Sequence, residues 1–216
     1  MPGVIIDSGQ VIRMFETFSL TKNSRVLCVD SSNSKLCVAL VELGCHVDCI
    51  DVIAMNDLDK SMGLYQRNYY DFVISYNTLN QETRFRCLSG LIKVLHESVR
   101  KDGVVVIGLN NKYSLKYGLK KFFLNSLDVK IFSINRVLKE LSKAKLNLQL
   151  KFVVLPGLED PRKLISKTDE VYDSYYSYEN HRLSGVKLLK RVAKQLYMSV
   201  GLYKAFDEAY LIIASK

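Results

Sequence analysis

Short apolar runs alternate with helically spaced segments along the first half of the chain. Four runs are rich in β-branched and other apolar residues, as buried parallel strands are, and they cover residues 25–30, 46–51, 71–76 and 104–108. Three segments place apolar residues three and four positions apart, which predicts helices, and they cover residues 9–19, 35–43 and 81–99. Gly44 is a normal stop for the second helix. This order predicts a parallel α/β sheet with helices on both faces.

The ends of these four strands indicate where a ligand would bind. Right-handed crossovers between parallel strands place the carboxyl ends along one edge of the sheet. Ligands of open α/β sheets bind at that edge. We therefore expect a site formed around the strand ends Asp30, Asp51, Tyr76 and Gly108.

The second half of the chain continues the alternation. A turn at residues 101–103 leads into the fourth strand, and a helix with Ser133 as its N-cap is predicted over residues 133–145. Two more strands are predicted over residues 148–155 and 209–214. Because no linker or repeat divides the sequence, the whole chain, 1–216, is expected to form a single domain.

The connection between the last two strands has two parts. Residues 156–185 have little periodicity and contain four tyrosines, and we interpret them as an inserted cap on the substrate side. A basic helix is predicted over residues 184–203, and its charged face would suit anionic lipid or nucleic acid. A helix that packs its other, apolar face on the core has the same pattern.

Composition narrows the class of protein. With 48% hydrophobic and 25% charged residues, the chain of 216 residues resembles an ordinary globular protein. No apolar run approaches the roughly 20 residues of a membrane span. The N-terminus lacks the basic start and apolar centre of a secretory signal, so we expect a cytoplasmic location.

The cysteines and histidines show no familiar metal motif. The five cysteines form no CxxC pair and lie among apolar residues, at Cys28, Cys37, Cys45, Cys49 and Cys87. They are expected to be reduced members of the core rather than partners in disulfides. The three histidines are far apart in the sequence, so no metal site is predicted.

The net charge of +9 lies in the second half of the chain. Residues 1–108 contain 11 Lys and Arg against 12 Asp and Glu, which gives −1, whereas residues 109–216 contain 20 against 10, which gives +10. A basic half suggests an anionic substrate, a nucleic acid, a membrane surface or a protein partner. A solvated, lysine-rich exterior explains the same numbers.

The first strand and the loop after it resemble a known motif. Residues 25–30, Arg-Val-Leu-Cys-Val-Asp, are followed by Ser31-Ser32-Asn33-Ser34 and a helix. This layout is similar to the start of the class I S-adenosylmethionine-dependent methyltransferases, whose pattern is hydrophobic, Leu, acidic, any residue and then GxGxG. Here the acidic position holds Cys28, and the three glycine positions hold Asp30, Ser32 and Ser34.

The resemblance implies an α/β fold with a doubly wound, mostly parallel, Rossmann-like sheet and an antiparallel last strand. The strands predicted over residues 148–155 and 209–214 would be the sixth and seventh strands of that sheet. Only 20 residue steps separate Asp51 from Asp71. That length is short for a helix, a third strand and their loops, so we expect a reduced third-strand region.

The resemblance also implies a site for S-adenosylmethionine. Asp51, at the end of the second strand, is placed to accept hydrogen bonds from both ribose hydroxyls of an adenosine. Asp30, Ser31 and Ser32 would contact the cofactor through backbone N–H groups and hydroxyls. Two interpretations of this loop stay open, a modified cofactor loop and a lost one. Asp51 would also suit a helix N-cap, and its spacing from Asp30 fits nicotinamide-dinucleotide enzymes too.

Two further residues come at the end of the strand predicted over residues 71–76. It corresponds to the family's fourth strand, after which methyltransferases hold groups near the transferred methyl. Tyr76 and Asn77 would contact adenine, the substrate or the sulfonium region of the cofactor. As an alternative, Asn77 is an ordinary turn residue. The Asp-Pro-Pro-Tyr type of signature for amino-group methylation does not occur in the sequence.

Two stretches, residues 108–117 and 155–165, are similar to patterns in methyltransferase-like proteins of surface polysaccharide assembly. This likeness implies an acceptor side that binds a phosphate or carboxylate, lined by Asn111, Lys112, Lys116 and Arg162. Solvated positions on one helical turn would explain Lys112 and Lys116 equally well.

Three functions compete. The first is an S-adenosylmethionine-dependent methyltransferase that acts on a small-molecule or sugar-linked acceptor, with no catalytic residue assigned. The second is a non-catalytic, methyltransferase-like protein that has lost the cofactor and binds a polyanion, nucleic acid or protein partner. The third is a nicotinamide-dinucleotide enzyme, against which the antiparallel last strand and the missing loop glycines argue.

Overall fold

The computed structural model describes seven stretches of the chain, namely residues 15–29, 35–50, 65–76, 88–110, 132–155, 163–166 and 209–216. They form seven strands, β1 Arg25–Val29, β2 His46–Ile50, β3 Tyr70–Ser75, β4 Val99–Asn110, β5 Asn147–Leu155, β6 Lys163–Ser166 and β7 Ala209–Ser215. They also form three helices, α1 Lys35–Glu42, α2 Leu88–Ser98 and α3 Ile134–Lys143.

All seven strands belong to one sheet, in the order β2-β1-β3-β4-β7-β5-β6. The first four, β2, β1, β3 and β4, are parallel to one another, and β7 lies antiparallel between β4 and β5. This topology confirms the predicted mostly parallel α/β sheet with an antiparallel last strand. Residues 65–69, between β2 and β3, add no strand. The rest of the predicted third-strand region, residues 51–64, lies outside the described residues.

The register of the parallel strands aligns their carboxyl ends. Val29 pairs with Ile50, Cys28 with Ile74, and Ser75 with Ile107. Because β1, β2 and β3 thus end at nearly the same height and β4 continues to Asn110, one edge of the sheet carries all four ends. The edge predicted from the sequence is confirmed.

Alternation along the strands divides the core between the two faces of the sheet. Leu27, Val73 and Val105 face a cluster that includes apolar residues of α2 and α3. Val26, Cys28, Phe72 and Val106 face a second cluster, completed by Phe15 and by Leu36, Cys37 and Leu40 of α1. Fully burying a Val, Leu or Phe side chain stabilises a fold by about 1.5–3 kcal/mol. Both faces are therefore covered, as continuous apolar strands predict.

The start of β4 differs from the prediction. The helix expected over residues 81–99 ends at Ser98, and β4 begins at Val99 rather than at Val104. Between the pairs Tyr70 with Val99 and Phe72 with Val104, β3 advances by two residues and β4 by five. The predicted turn is therefore a bulge inside β4, with Asp102 at a φ of 61°.

The second half agrees with the prediction at most boundaries. Ser133 caps α3, its side chain accepting a hydrogen bond from the Arg136 N–H at 3.4 Å. The helix ends at Lys143, two residues early, because Lys145 adopts a φ of 59°. Within the segment predicted as a cap, residues 163–166 form β6 beside β5.

Two other predicted helices lie partly or wholly outside the described residues. Of the helix expected over residues 9–19, residues 15 and 16 are helical and the following residues form a turn. The basic helix expected over residues 184–203 lies outside the described part.

None of the helices described is long and apolar enough to cross a membrane.

Candidate cofactor site

The carboxyl edge of β1–β4 is the place where the sequence predicts a ligand. Val29, Ile50 and Asn110 end their strands there and directly precede Asp30, Asp51 and Asn111 in the sequence. Of the predicted site residues, Tyr76 is described. The others lie outside the described residues and are Asp30, Ser31, Ser32, Asp51, Asn77, Asn111, Lys112, Lys116 and Arg162.

Two buried polar side chains lie at this edge. The described part of the chain has four buried polar side chains, and two of them, Ser75 and Asn110, lie at the ends of β3 and β4. A buried polar side chain costs free energy unless it finds a hydrogen-bond partner. Of these two, Ser75 has no hydrogen-bond partner among the described residues, so its position at the predicted ligand edge requires an explanation beyond packing.

Two hydroxyls at the end of β3 lack such a partner. Among the residues that the structure describes, the hydroxyl oxygens of Ser75 and Tyr76 are buried and form no hydrogen bond. Leaving a buried hydroxyl unpaired costs about 1–3 kcal/mol. A polar ligand at the carboxyl edge would offer these hydroxyls a partner, and the hydroxyls and ring nitrogens of an adenosine have the required chemistry.

The Tyr76 side chain packs on one identified face of the sheet. Successive strand residues alternate, and Tyr76 packs against the cluster that contains Cys28 and α1. Burial raises the pKa of Tyr76, so its phenol is neutral at physiological pH and available as a donor. Ser75 and Tyr76 thus provide two unpaired hydroxyls at consecutive positions at the end of β3.

The sequence analysis did not assign Ser75 to the site. Its signal was a single hydroxyl residue inside the apolar run Asp-Phe-Val-Ile-Ser-Tyr, directly before Tyr76. A polar residue at the carboxyl end of a buried strand is a better site indicator than an exposed turn residue, because its burial requires a partner.

Three cysteines meet beside the same edge. The Sγ atoms of Cys28, Cys37 and Cys49 all lie within 4.8 Å of one another. Cys28 and Cys49 are paired positions of β1 and β2, and Cys37 lies in the first turn of α1. We call these residues the thiol cluster.

The cysteine predictions were correct in part. Cys28, Cys37 and Cys45 are buried and form no disulfide, as expected of reduced core residues. Cys49 is also reduced, but it is exposed, because β2 lies at the end of the described sheet. Cys87 lies outside the described residues.

The environment of the thiol cluster favours protonated thiols. Hydrogen bonds with Cys37 and Cys49, followed by burial, raise the pKa of Cys28. For Cys49 a hydrogen bond from Cys28 acts to lower the pKa. The opposing effects of Cys37, burial and the nearby Asp48 charge are larger in sum and raise the pKa of Cys49 to about 11. Without a bound cation, Cys28 and Cys49 are neutral at physiological pH.

A cavity of about 380 Å³ lies at the opposite, amino edge of the sheet. Asp71 organises it: its Oδ2 accepts a 2.7 Å hydrogen bond from the Arg25 N–H, and its Oδ1 lies 2.9 Å from Nε of Arg100. Ligands of parallel sheets bind outside the carboxyl ends of the strands. We therefore assign Asp71 and its arginines to the structure of this edge and not to the candidate site.

Comparisons with known proteins bear on the fold. Searches of the sequence against protein-family models and curated proteins find no match. The structure is similar to an S-adenosylmethionine-dependent methyltransferase from Archaeoglobus fulgidus, with a TM-score of 0.56 and 16% identity over 97% of this chain and 92% of that one. A second methyltransferase of this kind, from Geobacter sulfurreducens in complex with S-adenosyl-L-homocysteine, aligns with a TM-score of 0.51 and 13% identity. The alignment covers 97% of this chain and 91% of that one.

The chain has the class I methyltransferase fold. A third similar structure is phosphoethanolamine N-methyltransferase 2 of Haemonchus contortus, in complex with phosphomonomethylethanolamine and S-adenosylhomocysteine. It aligns with a TM-score of 0.54 and 12% identity over 96% of this chain and 52% of that one, so the chain spans about half the length of that enzyme.

The methyltransferase fold gives the thiol cluster a defined position. Cys28 lies at the end of β1 and Cys37 at the start of α1, so the two cysteines flank residues 30–34 in the sequence. In this methyltransferase fold, those residues correspond to the loop where the sequence pattern expects glycines. The thiol cluster therefore joins both flanks of the most altered motif of the chain.

Proposed function

We propose that the protein binds S-adenosylmethionine at the carboxyl edge of β1–β4 and transfers its methyl group to a small-molecule or sugar-linked acceptor. One observation carries the proposal. In a sheet of methyltransferase topology, the hydroxyls of Ser75 and Tyr76 at the carboxyl end of β3 are buried and have no partner among the described residues, which supports a polar ligand at this edge.

The residues around this edge have distinct roles in the proposal. Asp51 accepts hydrogen bonds from the ribose hydroxyls, since a carboxylate offers two acceptor oxygens to a vicinal diol. Asp30, Ser31 and Ser32 hold the methionine part through backbone N–H groups and short side chains. Tyr76 and Asn77 donate to the adenine or lie beside the reacting centre.

The bound cofactor supplies an activated methyl group on a sulfonium. The chain's contribution is then mainly alignment, because direct displacement needs the acceptor atom in line with the methyl group. A general base is needed only when the acceptor is a hydroxyl. The geometry of the described residues assigns no such base.

The acceptor side of the proposal rests on charge. The second half of the chain carries the entire basic excess, with a charge of +10 against −1 in the first half. Asn111, Lys112, Lys116 and Arg162 would bind a phosphate or carboxylate of the acceptor, with residues 156–185 as a cap. The Haemonchus enzyme, which is similar in fold, is complexed with a phosphate-bearing small molecule. The resemblance of residues 108–117 and 155–165 to polysaccharide-assembly proteins favours a sugar-linked acceptor.

A second function has a specific observation in its favour. The three positions where the family pattern expects glycine hold Asp30, Ser32 and Ser34, and each adds a Cβ to a loop that must approach the cofactor closely. A chain that has lost the cofactor would keep the sheet and use its basic half to bind a polyanion, nucleic acid or protein partner.

Calorimetric titration separates the two functions. We expect the purified full-length chain to bind S-adenosylmethionine and S-adenosylhomocysteine with micromolar dissociation constants and to show no heat with a nicotinamide dinucleotide. Asp51→Ala should weaken binding by at least about tenfold, or 1.4 kcal/mol. Heat with single-stranded nucleic acid or heparin and none with either adenosyl compound would support the second function and overturn the first.

A further inference from the structure

The thiol cluster is a group of ligating side chains that the proposed function does not use. Cys28, Cys37 and Cys49 come from a strand, a helix and a second strand, and their Sγ atoms lie within 4.8 Å of one another. Cys45, by contrast, stands apart and donates its thiol to the Thr21 carbonyl at 3.6 Å. The packing of small apolar residues does not require three sulfur atoms from three different elements to meet at one point.

The spacing suits a metal ion. A Zn–S bond is about 2.3 Å long, so two thiolates of a tetrahedral site lie about 3.8 Å apart. Sulfurs that now lie within 4.8 Å of one another reach that separation when side-chain rotation moves each pair about 1 Å or less closer. Soft thiolates select zinc and copper(I) over magnesium or calcium.

The access route also suits a metal ion. Cys28 and Cys37 are buried, whereas Cys49 is exposed on β2. A metal ion can therefore reach the cluster from solvent on the side of Cys49, and water can complete its coordination there. A wholly buried cluster would offer no entry path.

We propose that Cys28, Cys37 and Cys49 form a binding site for a thiophilic metal ion, Zn²⁺ or Cu(I), that links β1, α1 and β2. The site departs from the expectation that the chain has no metal centre, and it does not rest on the proposed methyl transfer. Its bound ion would hold the two flanks of residues 30–34 together.

The test uses full-length protein, reduced and kept free of oxygen, with the metal ions alone as probes. Co²⁺ reports on zinc sites through a thiolate-to-cobalt charge-transfer band and the intense visible bands of tetrahedral coordination. We expect one equivalent of Co²⁺ to give both features and Zn²⁺ to displace it. A parallel titration with Cu(I) against a competing chelator decides which ion binds more tightly.

Matched variants locate the ion. Cys49→Ser changes an exposed residue and should lower metal affinity by about a hundredfold or more, because one of three protein ligands is lost. Cys45→Ser should keep wild-type affinity, because the Cys45 thiol bonds to the Thr21 carbonyl outside the cluster. Should Cys49→Ser fold poorly by circular dichroism, protection of Cys49 from alkylation by one equivalent of Zn²⁺ gives the same information in the wild-type chain.

Three results would overturn the proposal. The first is Co²⁺ binding without a thiolate charge-transfer band. The second is unchanged metal affinity in Cys49→Ser, and the third is loss of affinity in Cys45→Ser instead. Because neither adenosyl compound is present, failure of the metal site leaves the calorimetric test of the proposed function unaffected.

Discussion

The Tyr70 hydroxyl donates a 2.7 Å hydrogen bond to Oδ2 of Asp48. Tyr70 begins β3 and Asp48 lies on β2, and β1 runs between these two strands. The bond therefore spans a strand and fixes β2, the end strand of the described sheet, to its interior. Asp51, the predicted ribose ligand, directly follows β2, so the position of β2 bears on the candidate site.

Removal of this hydroxyl should destabilise the protein modestly. We expect Tyr70→Phe to lower the free energy of unfolding by about 0.5–1.5 kcal/mol, the net contribution of one hydrogen bond. Urea denaturation followed by circular dichroism measures the change, with an unaltered denaturant slope. Asp48→Asn keeps an acceptor and should cost less. If Asp48→Asn proves the more damaging substitution, the carboxylate stabilises β2 in some way other than this bond.

Two glycines should differ in their tolerance of a methyl group. A Cβ on Gly103, inside the bulge of β4, would lie 2.6 Å from Cγ2 of Val99 and 3.1 Å from the Asp71 carbonyl oxygen. Gly103→Ala must shift this backbone and should cost about 1–3 kcal/mol. At Gly44 the nearest atom would be 3.8 Å away, and only its φ of +92° opposes a side chain, so Gly44→Ala should cost about 1 kcal/mol. Thermal unfolding of both variants in parallel checks the ranking, and an equal loss would contradict the close contacts at Gly103.

Stability should depend on the protonation of His96. Burial is the largest cause that lowers the pKa of His96 below its ordinary value of 6.5, the charges of Lys216 and Lys145 act in the same direction, and Glu97 opposes them. The unfolded chain therefore takes up this proton at a higher pH than the folded chain does. The stability that the neutral imidazole of His96 allows is fully present above pH 6.5. It declines as the pH falls below 6.5 and through the lower pKa of the folded state.

Urea titrations of the wild type and His96→Gln from about pH 8 to about pH 5 measure this effect. We expect the wild type to lose more stability than His96→Gln over that range. A wild type that gains stability relative to the variant as the pH falls would show that the charged imidazole is favoured in the folded state.

The two buried hydroxyls allow a test that separates ligand binding from packing. Tyr76→Phe and Ser75→Ala each remove an unpaired buried group, so the free chain should keep or slightly gain stability. Affinity for S-adenosylhomocysteine should fall by about tenfold in at least one variant, because the ligand loses a donor. Thermal unfolding and calorimetry of the same samples give both quantities. Lower stability with unchanged affinity would mean that the hydroxyls bind parts of the protein itself.

Most of the sheet could be predicted because its strands are continuous apolar runs. The segment at Asp71–Ser75 and the one from Val104 onward satisfy the pattern for buried parallel strands, and both pair as expected. The first residues of β4 were missed because Arg100, Lys101 and Asp102 are polar and resemble a turn. The bulge accommodates them within the strand, and local sequence does not distinguish a bulge from a turn.

The site was less predictable because its features are tertiary contacts. Tyr76 was assigned from its place after a strand, and the structure adds that its hydroxyl is buried without a described partner. The thiol cluster was missed because register, which sets Cys28 beside Cys49, depends on which strands pair. Cys37 joins them only once α1 packs on that face of the sheet.

The central claim is that the carboxyl edge binds an adenosyl ligand although the loop glycines are absent. The most direct test measures the dissociation constant of S-adenosylhomocysteine for the natural chain and for a variant with glycine restored at all three positions, Asp30→Gly, Ser32→Gly and Ser34→Gly. We predict micromolar binding by the natural chain, within about tenfold of the restored variant. Binding by the restored variant alone would contradict the claim and show that the natural loop no longer holds the cofactor.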